Sequence, residues 1–75
     1  MKREEVINRD PEIFSGEPVF AGTRIPVKFF IGHLIEGDSI DDFLDGFPSV
    51  SREQAVSLLE MALEALTGET NARAA

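Results

Sequence analysis

The sequence predicts a mainly α-helical domain of three helices behind a short N-terminal strand and a β-hairpin. Three observations carry that expectation. Apolar residues fall at i, i+3, i+4 and i+7 over residues 27–34, and at similar steps over residues 55–66, the spacing of one helical face. Two serine-led capping sequences, at Ser39 and Ser51, mark helix starts. Ahead of them, residues 1–26 are broken by Pro and Gly and hold only short β-type runs.

Val6-Ile7 reads as a short strand, stopped by Asn8 and Asp10-Pro11, and Ser15-Gly16-Glu17-Pro18 is a second break. Val19-Phe20 and Thr23-Arg24-Ile25 then form the arms of a hairpin around Ala21-Gly22, because Gly22 can take the positive φ of a tight turn. Pro26 has no N–H for a ladder and ends the second arm. A helix follows from Val27 to Glu36, with Val27, Phe30, Ile31 and Leu34 facing inward and Gly37 as its stop. Ser39 caps the next helix, with Asp42 as box partner and Ile40, Phe43 and Leu44 facing inward; Gly46-Phe47-Pro48 ends it within two turns. Ser51-Arg52-Glu53-Gln54 caps the last helix, with Val50 as a staple against Ala55. Its core stripe is Ala55, Leu58, Leu59, Ala62 and Leu66, widened by Val56 and Leu63, with Met61 and Ala65 on a further side. Gly68 ends it, so the domain spans residues 1–68 and residues 69–75 form a flexible tail. Three helices with a tight connection before the last match a helix-turn-helix-like plan in outline.

Composition narrows the function. A 75-residue chain makes one domain, and its core is marginal unless a partner covers more of it. The apolar surplus of Val56, Met61 and Leu63 on the last helix therefore predicts a homodimer. Without cysteine there is no disulfide, thiolate metal site or cysteine nucleophile. The N-terminus lacks the apolar region of a signal peptide and no apolar run approaches membrane length, so a cytoplasmic location is expected. Residues 1–30 balance five basic against five acidic side chains, whereas residues 31–75 set nine acids against Arg52 and Arg73. Such a surface repels phosphate at long range and suits a basic protein partner.

No nucleophile elbow, phosphate loop or catalytic carboxylate pair is present, and an enzyme is not expected. His33, the only histidine, falls to the side of the core face next to Phe29, with no acid partner evident. Glu36, Asp38, Asp41, Asp42 and Asp45 do not follow calcium-loop spacing, and neither metal nor cofactor is expected. Arg52 and Gln54 occupy the first turn of the last helix, where a recognition helix meets the major groove, and Arg suits guanine as Gln suits adenine. Gln54 is also accounted for by the capping box. Arg24 can tie the hairpin to backbone carbonyls or contact phosphate, and Lys28 can flank such a contact.

Gly16-Glu17-Pro18-Val19-Phe20-Ala21-Gly22-Thr23-Arg24-Ile25-Pro26-Val27 resembles the signature segment of the bacterial family called domain of unknown function 433. Gly37-Asp38-Ser39, the acidic Asp41-Asp42-Phe43-Leu44, the Phe47-Pro48 turn and Ser51-Arg52-Glu53 match its later parts, so the likeness covers roughly residues 5 to 66. Glu17, Phe47 and Gln54-Ala55 depart from the family's commoner residues. The resemblance implies a homeodomain-like antitoxin of a type II toxin-antitoxin pair, binding a PIN-like ribonuclease toxin and its own operator DNA. On that reading the DNA contacts are Arg52, Gln54, Arg24 and Lys28. The toxin contacts are Asp41, Asp42 and Asp45, masking a face built for an anionic substrate, with Met61 on the last helix. The alternative is an acidic protein–protein interaction module without DNA binding.

Overall fold

A computed structural model describes residues 1–68; the expected flexible tail, 69–75, lies outside the described residues. The domain is mainly helical, with one short pair of antiparallel strands. In chain order the elements are α1 (Arg3–Val6), β1 (Ile7–Asn8), a 3-10 turn (Phe14–Gly16), β2 (Val19–Phe20), α2 (Val27–Ile35), α3 (Ile40–Gly46) and α4 (Arg52–Thr67). No helix among the described residues is long and apolar enough to cross a membrane.

The front of the molecule differs from expectation in two ways. Val6 belongs to a one-turn helix rather than a strand. The Lys2 backbone N–H donates to Glu5 Oε1 at 2.7 Å and Glu5 N–H returns to the Lys2 carbonyl at 2.9 Å, which closes that turn. The strand begins one residue later and pairs with β2, Ile7 opposite Phe20 and Asn8 opposite Val19. The expected turn at Ala21-Gly22 is there, with Gly22 at φ 79°. Thr23 Oγ1 clamps it, donating to the Phe20 carbonyl at 2.8 Å and accepting from Ile25 N–H at 3.0 Å. Its returning arm, however, makes a single bridge, Val19 to Pro26, instead of a strand over Thr23–Ile25. Pro26 has no N–H to extend a ladder, and the next donor, Val27, already opens α2 while bonding the Pro18 carbonyl at 2.9 Å.

The three longer helices stand within a residue or so of their expected bounds. Gly37, at φ 98°, lets α2 end in paired bonds: Gly37 N–H to the Leu34 carbonyl (3.0 Å) and Asp38 N–H to the His33 carbonyl (2.9 Å). Phe20, Phe30 and Phe43 form the centre of the core with Val6, Val50, Ala55 and Leu58 around them. The staple expected between Val50 and Ala55 is buried on both sides. Leu66 does not belong to the core stripe, being 86% exposed. At 16 residues α4 is about 24 Å long, against about 11 Å for α3 and a single turn for α1, the helices it chiefly packs on, so its last turn overhangs them.

Candidate functional site

The segment from Ser39 to Gln54 carries most of the side chains expected to meet a partner. At the start of α3, Ser39 Oγ accepts from Asp42 N–H and Asp42 Oδ2 accepts from Ser39 N–H, both at 3.0 Å. The Ser39 backbone N–H, and after it the Ser39 hydroxyl, hold the exposed Asp42 carboxyl below its ordinary range. Because the folded value is the lower one, the box stabilises the fold above the unfolded carboxylate value of about 3.9, and its contribution is lost as pH falls through the folded value. In an NMR titration Asp42 should therefore protonate at lower pH than the same carboxyl in the unfolded chain. Asp42→Asn should flatten that part of the acid unfolding curve; an Asp42 midpoint at or above the unfolded value would contradict the cap.

Asp41 and Asp45 are exposed on the same helix. Asp41 Oδ1 takes the Arg52 guanidinium, through Nη1, across the α3–α4 turn. The pair is solvated on both sides, so its contribution to stability is small. Its effect on the surface is larger, because the basic group expected to face DNA already has a carboxylate against it.

Gln54 is placed where it cannot read a base. Only 8% of it is exposed. Its Oε1 accepts from Ser51 N–H at 3.0 Å, and its Nε2 donates to the carbonyls of Glu5 (3.1 Å) and Ala21 (3.0 Å). Both ends of the amide are thus spent inside the molecule, on the capping box and on ties to α1 and to the turn after β2. Signals for the first were in the sequence. Nothing local announces the second, which joins residues 49 and 33 positions apart.

The other sites expected from the sequence are dispersed. Lys28, on α2, lies 3.7 Å from Glu17 Oε1. Arg24 is exposed and, among the described residues, has no hydrogen bond or ion pair, although a structural tie was one of its two expected roles. Met61 is half-buried against the core, and so contributes less to an exposed partner surface than its sequence position implies.

His33 does have an acid partner. Its Nδ1 stands 2.7 Å from Asp38 Oδ2, and its ring meets Phe43 and Phe47 edge-on at 5.4 and 5.7 Å. The signal was Gly37: a helix closed by a left-handed glycine returns the following residue over its last turn. Lys28, Phe29, Gly32, Glu36 and this pair line an open depression of about 400 Å³. Among the described residues its lining has no hydroxyl or thiol nucleophile.

No solved structure matches the chain. It is similar to the uncharacterized protein y4eO of Sinorhizobium fredii (strain NBRC 101917 / NGR234), with 34% identity over 50 residues. Those cover 67% of this chain but 23% of that protein, so the chain spans under a quarter of the relative's length. Residues 7–62 match the family model described as protein of unknown function (DUF433), a stretch that takes in β1, the clamped turn, α2, α3 and most of α4, and the chain belongs to that family.

Proposed function

We propose that this domain works stoichiometrically by binding another protein, as an antitoxin whose partner is a PIN-like ribonuclease toxin. The observation that carries this reading is the character of the α3–α4 surface. Asp41, Asp42 and Asp45 are exposed there, Arg52 is neutralised by Asp41, and Gln54 is withdrawn into the core. An acidic face of this kind complements the basic surface of an enzyme that handles RNA and raises the rate of encounter with it. The family resemblance supplies the antitoxin role. The same surface supports the wider reading of an acidic interaction module for some other basic protein.

Co-expression with the adjacent reading frame tests it. A complex should co-purify, and its association should slow as salt rises. The double reversal Asp41→Lys/Asp45→Lys should cut the association rate about tenfold or more, the fold remaining intact because both side chains are exposed. A complex whose formation ignores both salt and the reversal would rule out the acidic face as the docking surface.

Contact with operator DNA has one observation in its favour: Arg24 is free, as are Lys2, Arg3 and Arg9 among the described residues. Any DNA contact would then run through phosphates on the front of the molecule rather than through the first turn of α4. In a gel shift on the operon's promoter, Arg24→Ala should weaken binding while Arg52→Ala leaves it unchanged. A homodimer, the competing use of the exposed apolar residues of α4, would have to form chiefly on Leu63 and Leu66.

A further inference from the structure

A second apolar line runs along α4 beside the one the core uses. Val56, Leu59, Leu63 and Leu66 follow one another at steps of three, four and three residues, the spacing by which one helix seats against another. The buried residues Gln54, Ala55 and Leu58 lie on a neighbouring side of the same helix. Exposure rises along the line. Val56 and Leu59 are half-buried, Leu63 is 49% exposed and Leu66 is 86% exposed. Arg52 stands four residues before Val56, at the head of the line, and there it is held by Asp41 of α3. The apolar line is therefore continuous with the acidic edge of α3. Glu60, one residue after Leu59, and Glu53, one residue after Arg52 and three before Val56, flank it on one side, where Met1 lies beside them.

We infer that this line is the docking surface for one amphipathic helix of a partner protein, with leucine-type side chains at three- and four-residue steps and Lys or Arg beside them. The inference rests on the protein-binding reading above and supplies the partner's chemistry. Charge complementarity selects the occupant. The outer flank of the line carries glutamates, the inner one is the core side of the helix, and the basic side chain at its head is already paired. A second copy would bring the same glutamates to the same flanks and raise the net charge from −7 to −14, twice the monomer's value. The line also covers only about two heptads, short of the roughly three to four that mark a self-sufficient coiled coil, so apolar pairing of two copies lacks the length to offset that repulsion. A basic-flanked helix meets both conditions, its leucines covering Leu63 and Leu66 and its cations facing Glu53 and Glu60.

The test uses the full chain and a synthetic 21-residue helical peptide with leucine at the seam positions and lysine on the flanks. Saturable binding is expected, with amide shifts concentrated between Val56 and Thr67 in a ¹⁵N correlation spectrum. Leu63→Ser/Leu66→Ser should weaken it about tenfold or more without changing the melting temperature, since both side chains are exposed. A peptide with the same leucines and glutamate flanks should not bind. Absence of saturable binding, or equal binding of the two peptides, overturns the inference. Binding that survives the double serine variant overturns it too, while leaving an acidic protein-binding face in place; loss of the complex's dependence on Asp41 and Asp45 strikes that face instead. A dimer in sedimentation that Leu63→Ser/Leu66→Ser abolishes would assign the line to a second copy.

Discussion

Phe43→Ala is expected to leave most of the chain unfolded at 25 °C. Phe43 has no exposed surface and stands at the middle of the aromatic cluster. Its ring lies 4.8 Å from Phe30, 6.1 Å from Phe20 and 4.7 Å from Phe47, the last stacked at 26°. These contacts join α2, α3, β2 and the turn before α4, so a single side chain touches most of the layers. Truncating a buried Phe costs about 3–5 kcal/mol in transfer and cavity energy. A domain of this length has a total stability of roughly 4–11 kcal/mol, and small ones sit at the low end. The loss is therefore comparable with the whole. Circular dichroism should show little cooperative melting, with urea unfolding shifted to near zero denaturant. Phe29→Ala is the control: Phe29 is 47% exposed and meets Phe47 only at 6.5 Å, so the cost should stay near about 1 kcal/mol. If the two variants melt alike, the core is not organised around Phe43.

What the sequence made legible was what it settles locally. The starts of α3 and α4 lie in the four-residue windows Ser39–Asp42 and Ser51–Gln54, and the end of α2 lies in Gly37; each window closes its own hydrogen bonds. The strand pair is not legible locally, because Ile7 finds Phe20 across thirteen residues, and the nearer arm, Thr23–Ile25, is disqualified by a proline whose neighbour is already helical. α1 is a single turn, too short for any periodicity to show. Leu66 continues the helical stripe faithfully, yet whether a stripe is covered depends on how far α1 and α3 reach along it, which α4's own sequence does not contain. At the candidate site the acidic residues of α3 were legible as exposed, since nothing apolar accompanies them on that side. Arg24 was not legible, because a guanidinium with five donors fits a tie and a free contact equally well until its neighbours are placed.

Gln54 is where those two kinds of information meet, and its substitution should have the second-largest effect. Its capping role is local and its two ties to the Glu5 and Ala21 carbonyls are not. Gln54→Ala removes all three bonds and fills none of the space. An unpaired buried group costs about 1–3 kcal/mol, with these part-buried carbonyls near the bottom of that range, and loss of the cap partner adds to it. A total of about 2–4 kcal/mol follows, or roughly 10–25 °C in melting temperature for a domain of this size. Gln54→Glu separates the ties from the cap. Glutamate keeps an oxygen for Ser51 N–H and preserves the volume, but at neutral pH it turns a carboxylate towards two carbonyl oxygens. Those neighbours favour the protonated acid, which can donate one bond, so the folded carboxyl should titrate above its unfolded value. A raised folded value contributes stability below the unfolded value and loses it as pH rises through the folded one, so this variant should be relatively more stable at pH 4 than at pH 7. Arg52→Ala, two residues away on the surface, should change stability by no more than about 1 kcal/mol. A Gln54→Ala protein that melts within 3 °C of the parent, or a Gln54→Glu protein whose stability does not recover in acid, would show that the amide is not the strut joining α4 to α1 and to the turn after β2.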